Sequence, residues 1–354
     1  MSLAELFAAE LLLAAFAGGA FGAAVGALPS FSLAGLVVVV GELYAMATRS
    51  LGGSVPVDVT GGIGFGVVLG PHVAFGGGAA ALAYASRRGY LDAGGAAFDP
   101  KDVTRGLGSR PDVLAVGGAF GVVGYWVATL SGSLAVPVDP VALGVVVSAL
   151  AHRLVLGYSV VGAPAGRLLD MSPFDDGRES VSTDGGEPES DGDADGGVDP
   201  WLPYQYRWSH VTALGFVVGV LSAYTAYVTG SAFLAFGITV AALFLLCAGV
   251  AEIPVTHHMA LPASTVVVAL AGVSGGAPAP DVVGSSVTLG VALVLGGVFG
   301  VLGGLLGELV QRIFYAHAET HLDPPAASIV VTSGVIAGLS VLGLLPAAAW
   351  IPLG

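Results

Sequence analysis

The chain has one lysine, Lys101, and one cysteine, Cys247. Only 10% of its 354 residues are charged, against the roughly 25% of an ordinary soluble domain. A soluble chain this poor in charge could not cover its own surface, so lipid is the simpler solvent. The lone cysteine excludes a disulfide framework and a thiolate metal site. With 11 basic residues against 25 acidic ones, the chain has no basic patch for nucleic acid. It has no Walker A lysine motif, no strand-turn-helix elbow in which G-x-S-x-G holds a nucleophile, and no glycine-rich turn joining a strand to a helix. ATP hydrolysis, serine hydrolysis and dinucleotide binding therefore fall away. No cofactor, metal or catalytic residue is expected, and the chain is read as not an enzyme. Its first residues carry Glu5 and Glu10 where a cleavable signal would carry Lys or Arg, so the first apolar run is read as a spanning helix.

Long apolar runs are abundant. Hydrophobic residues make up 55% of the chain and mean hydropathy is +0.87. Runs long enough to approach the ~20 residues of a spanning helix lie at 6–27, 31–47, 57–86, 111–130, 140–162, 208–228, 231–250, 256–274, 284–313 and 324–346. Five fall on each side of one polar break. From Asp170 to Asp199 eleven Asp or Glu residues stand among Gly, Ser and Pro, too polar a stretch to offset its ordering entropy. The expected organisation is a membrane half at 1–168, a disordered acidic cytoplasmic linker at 169–203 and a second membrane half at 204–354.

The two halves repeat. Leu114–Leu130, LAVGGAFGVVGYWVATL, returns as Leu293–Leu309, LVLGGVFGVLGGLLGEL, with eight of 17 positions identical. Each copy leads into an apolar run opened by Asp-Pro, at Asp139 and Asp323. Internal repeats of this kind build many transporters and channels. Segment 57–86 is too long for one upright span and is cut by Pro71 among glycines. It either crosses as a broken helix or re-enters, and the side of the amino terminus depends on which. Arg87, Arg88, Lys101, Arg105 and Arg110 crowd the loop 87–110, which the positive-inside rule makes cytoplasmic. Arg167 and Arg178 put the linker on the same side, while 131–138 and 275–283 lack basic residues and are read as external. Five crossings per half make the repeat inverted.

Glycines four apart lie on one helix face and let another backbone approach. Gly18, Gly22 and Gly26, the pair Gly117 and Gly121, and Gly296, Gly300 and Gly304 are expected to pack helices. Charged or titratable groups at membrane depth are candidates for function. Glu42, His72, Glu252 and His258 are the expected cavity-lining residues, on an alignment of His72-Val-Ala-Phe with His258-Met-Ala-Leu. Asp139 and Asp323, each before a proline, read as helix caps. In His317-Ala-Glu-Thr-His321 the Glu stands at i+2 rather than i+1 of a helical zinc motif, so a solvated loop is expected and no metal.

Gly117-Gly118-Ala119-Phe120-Gly121, the acidic central linker and the near-absence of lysine resemble a polytopic membrane protein family of haloarchaea whose function is unassigned. Salt adaptation would explain the excess of carboxylates. A fainter likeness, over Gly62-Ile63-Gly64-Phe65 through Pro71 to Gly76-Gly77-Gly78, is to oligopeptide transporters. The reading is an all-α integral protein of the cell membrane, with about ten transmembrane helices in two homologous halves. The expected function is that of a secondary transporter or channel-like permease for a small solute or ion. The alternative is a non-catalytic membrane scaffold or complex subunit. The lipid bilayer is the expected partner under either reading, and a second copy of the chain is a candidate partner. Topology reporters fused within 87–110 and within the acidic linker should report the same side of the membrane. Opposite sides would overturn this layout.

Overall fold

The computed structural model describes residues 3–91, 99–164, 167–176 and 198–353. Among them regular structure is helical, apart from one isolated bridge between Ser274 and Ala349. The middle of the acidic linker, 177–197, lies outside the described residues.

A 3-10 turn at Leu3–Phe7 precedes α1 (Ala9–Val25) and α2 (Ala27–Ser50). Gly26 divides these two helices at φ 105°, a conformation that favours glycine. The first half continues with α3 (Ala74–Arg87), α4 (Pro111–Ser133) and α5 (Pro140–Leu156), followed by the short α6 (Ser172–Asp175). The second half holds α7 (Trp208–Thr229), α8 (Leu234–Ala241), α9 (Leu243–Cys247), α10 (His257–Leu270), α11 (Pro280–Ser286), α12 (Leu289–Phe314) and α13 (Pro324–Val341).

Five helices, α2, α4, α7, α12 and α13, are long and apolar enough to cross a membrane. The outer faces of the bundle expose large apolar side chains, such as Leu13 and Phe16 on α1, Phe216 and Leu221 on α7, and Val294 and Val298 on α12. With these faces turned outward, the chain is a multi-pass membrane protein. All ten predicted apolar segments contain helix, but half of them fall short of spanning length. α1 and α5 have 17 residues each, and α3 and α10 have 14. At about 1.5 Å per residue, 14 residues cover only ~21 Å, so α3 and α10 begin inside the bundle.

Glycine contacts hold each half together, and the same contact occurs twice. A Cβ on Gly121 or Gly300 would lie 2.8 Å or 2.6 Å from the Cα of Gly19 or Gly219, respectively. One on Gly117 or Gly296 would lie 2.8 Å or 2.7 Å from the carbonyl oxygen of those same two partners. Gly118 faces the ring of Phe16, and Gly297 that of Phe216. Helices α1 and α4 thus pack antiparallel in the same register as α7 and α12. Gly18, Gly22, Gly26 and Gly304 also face close neighbours, at Val68, Ala74, Arg105 and Val211 respectively.

Segment 57–86 is a broken helix. A π-turn at Thr60–Gly64 and irregular turns through Val73 lead into α3. Asp58 at one end borders a cavity with Glu42 and Arg49, while Arg87 at the other donates to the carbonyl of Gly157, just past α5. α5 and α13 run antiparallel where the halves meet. Asp139 N–H donates to Ser333 Oγ (2.9 Å), deep in α13, and Arg153 near the end of α5 donates to Thr320, just before α13.

Two local expectations change. The described chain is already packed from Val198 on, before the expected boundary at 204: Val198 is buried, Asp199 pairs with Lys101 at 2.5 Å and Trp201 N–H donates to Gln311. The 317–321 connection is buried, Glu319 excepted, not solvated. Its backbone is held by Arg153, which donates to the carbonyl of Thr320, and by the Ala163 N–H, which donates to that of His317.

Leucine at Gly121 or Gly300 would force two backbones apart, at a cost of at least about 1–3 kcal/mol. Each variant should lower the thermal midpoint of the detergent-purified protein by several degrees. Gly338→Leu, where added atoms meet open space, should leave it unchanged.

Candidate functional site: a cavity between the two halves

Four helices start inside the bundle rather than at its surface, and the ends of all four border one cavity. α5 and α13 begin at Asp139-Pro140 and Asp323-Pro324. Asp139 Oδ1 accepts from the amides of Val141 (2.8 Å) and Ala142 (3.1 Å), and Asp323 Oδ2 accepts from Ala326 (2.8 Å). These caps satisfy amides that have no intrahelical partner. α3 is approached through Pro71, and α10 begins at His257.

The cavity these ends enclose measures about 120 Å³. Its wall is aromatic. Phe31, Phe65, Phe75, Phe233, Phe236 and Trp350 line it, with Asp139, Asp323 and His257 as its titratable groups. Neighbouring rings touch in a chain: Trp350–Phe233 (5.3 Å between centroids), Phe233–Phe65 (5.2 Å), Phe65–Phe236 (5.6 Å), Phe236–Phe31 (6.2 Å) and Phe31–Phe75 (5.9 Å). His257 stacks edge-on against Phe31 at 5.0 Å.

Two further cavities adjoin it. One, about 390 Å³, holds Glu42, Arg49, Asp58 and Thr60 and shares Phe65 and Phe233 with the central cavity. The other, about 230 Å³, holds Asp99, Lys101, Asp102 and Trp201 and shares Phe31, Phe75, His257 and Asp323. Two aromatic pairs thus stand as partitions between three chambers in series. The first vestibule has exposed rim residues at Val57, Asp58 and Gly61. The second has Lys101 in its wall, paired with Asp199 and with its ammonium 4.7 Å from the ring centre of Tyr315. Burial pushes the Asp99 carboxyl there above its ordinary value, against the pull of Lys101.

The four residues expected to share a pocket stand apart. Glu42 borders the first vestibule, accepting from Thr60 Oγ1 (2.8 Å) and Ser231 Oγ (2.5 Å), and so ties α2 to the other half. Glu252 is exposed in the connection before α10, with left-handed φ of 57°. His72 and His258 do occupy matching places, each against the repeated helix of its own half. The carbonyl of His72 rests on Gly124, and that of His258 on Gly303, positions equivalent in the repeat. The Gly76 amide, which would bond His72 in a regular helix, donates to Pro71 instead (2.9 Å). Pro262 has no N–H to offer His258 four residues back. His258 borders a small recess with Glu308, Gln311 and Gln205, on the far side of α10 from the central cavity. Of the adjacent pair, His257 is the residue that faces the chamber.

Sequence reasoning treated the two Asp-Pro caps as end signals alone and did not find the aromatic wall. The caps were findable, because Asp-Pro follows both copies of the repeat. The rings come from four separate stretches of the chain, and no common spacing links them.

Buried cations serve as clamps. Arg153 is fully buried and donates to Thr320 Oγ1 (3.1 Å), Thr320 O (2.5 Å) and Val160 O (2.6 Å). Arg312 pairs with Glu308 at 2.6 Å and reaches the carbonyls of Leu169 and Tyr206. Removing one partner of such a pair leaves an uncompensated charge and costs about 3–5 kcal/mol. Arg312→Met should lose about that much stability, measured by thermal unfolding in detergent, and the Glu308→Gln/Arg312→Met double variant should lose less. Equal losses would contradict the pairing.

Over residues 1–354 the sequence matches DUF7973, a family of unknown function, and the chain belongs to that family. No curated protein and no solved structure matches it.

Proposed function

We propose that this DUF7973 membrane protein is a permease of the cell membrane, whose path runs between two homologous, inverted halves. The observation that carries the reading is the series of three chambers separated by Phe65–Phe233 and Phe31–Phe75. Irregular backbone at membrane depth is tolerated where protein or a cavity satisfies it. Broken helices that meet near the middle of a bundle are a recurrent way to build a transport site.

The matched contacts support the inverted repeat. Gly19, Gly117 and Gly121 in one half correspond to Gly219, Gly296 and Gly300 in the other, and His72 on Gly124 corresponds to His258 on Gly303. α5 and α13 then become the pair that cross near the axis relating the halves, each presenting an aspartate cap to the central chamber. The glycine faces that would favour a scaffold are taken up within the chain. The end with Lys101, Arg105 and Arg110 is the cytoplasmic one. In this conformation the path is closed there by Lys101–Asp199 and the rings of Phe31 and Phe75. Asp323 stands at the boundary of that closure, 3.6 Å from His321 and beside His257.

Single cysteines test the path. In a Cys247→Ser background, Ala142→Cys and Ala326→Cys place a thiol on the cavity wall, and Ala337→Cys places one in packed interior. Membrane-impermeant methanethiosulfonates of either charge, applied to either face of the membrane, should modify the first two and leave the third. If neither cavity cysteine reacts from either side, the permease reading is wrong.

A further inference from the structure

We propose that the central cavity binds a small quaternary ammonium cation, with Asp139 as its counter-charge. This rests on reading the cavity as the permeation site, and it adds the class of substrate. Asp139 is 6% exposed. One oxygen takes both α5 amides, and the carboxylate has no cationic partner among the described residues. No Lys or Arg borders the chamber.

The chemistry of the wall decides between ligands. Anions would meet two carboxylates and no Lys or Arg, with His257 as the one imidazole. Calcium-like ions need six or more oxygen ligands, and no cluster of three His, Cys, Asp or Glu suited to a metal occurs among the described residues. A primary ammonium brings three N–H donors that each need an acceptor, in a wall built almost wholly of carbon. A neutral hydrocarbon would leave the buried Asp139 charge without a counter-ion. A quaternary ammonium has no N–H to satisfy, and aromatic rings attract it through their quadrupoles. The six rings of this chamber match that requirement. Its volume of about 120 Å³ is close to the ~150 Å³ of a dry cavity known to accept benzene, so the trimethylammonium head of choline is of fitting size. Both vestibules add carboxylates on the way, Glu42 and Asp58 on one side and Asp99 and Asp102 on the other.

Isothermal titration calorimetry on the full-length detergent-purified protein tests this with choline and its neutral isostere, 3,3-dimethylbutan-1-ol. Choline should bind, and the isostere at least about tenfold more weakly. Asp139→Asn should weaken choline at least about tenfold without lowering the thermal midpoint, since Asn caps a helix about as well as Asp. Phe236→Leu, which keeps the wall apolar but removes a ring, should weaken it as well. No choline binding, equal binding of the isostere, or an unchanged affinity in Asp139→Asn would each overturn the proposal. Failure here with reactive cavity cysteines discards the substrate class alone; unreactive cysteines discard the path itself.

Discussion

Everything in this fold depends on how backbone polar groups are satisfied where no water is at hand. A helix that begins inside a membrane bundle exposes amides that would each cost several kcal/mol if left unpaired in hydrocarbon. The chain begins four helices that way. Asp139 and Asp323 cap α5 and α13 with their own side chains. At α3 the register slips by one residue, so that Gly76 bonds Pro71. At α10 Pro262 removes the donor that His258 would otherwise use. The carbonyls released at His72 and His258 lie against glycine backbones, where only a residue without Cβ leaves room. Glycine in α4 and α12 is therefore doubly required, for the close approach of α1 and α7 and for seating these broken starts.

Much of this was legible in the sequence. The repeated Gly-Gly-x-Phe-Gly segment marked α4 and α12, the Asp-Pro pairs marked α5 and α13, and Pro71 marked the break before α3. The aligned histidines make alike contacts, the carbonyl of His72 against Gly124 and that of His258 against Gly303. What the alignment did not give is which face of α3 and α10 meets the cavity. Successive helical residues diverge by about 100°. Pro71 and Phe75, four apart, point to the chamber together, and so do His257 and Leu261. His72 and His258 are one step round and point at their own half. A one-residue choice separates a cavity histidine from a packing histidine, and periodicity cannot make it in helices apolar on every side.

The aromatic wall was hidden for a different reason. Phe31, Phe65 and Phe75 of the first half meet Phe233, Phe236 and Trp350 of the second only where the halves dock, and each alone looks like an ordinary core residue. Intramembrane charge was the more visible signal and mostly marked architecture. Glu42 joins the halves through Thr60 and Ser231, Arg153 fixes the turn before α13, and Arg312 with Glu308 anchors the stretch after the acidic linker. The aspartates with most chemical freedom are the two that looked like simple caps. A cap spends one carboxylate oxygen on its helix and leaves the group's charge facing whatever enters.

The central claim is that a quaternary ammonium cation passes between the halves through a chamber walled by aromatic rings. Tracer flux tests it directly, with the purified chain as the sole protein in sealed liposomes. Radiolabelled tetramethylammonium should enter wild-type proteoliposomes well above the rate of protein-free vesicles. Ala142→Trp, which fills the chamber from α5, should return the rate to that background. Wild-type uptake no faster than empty vesicles, or undiminished uptake with the chamber filled, would contradict the account.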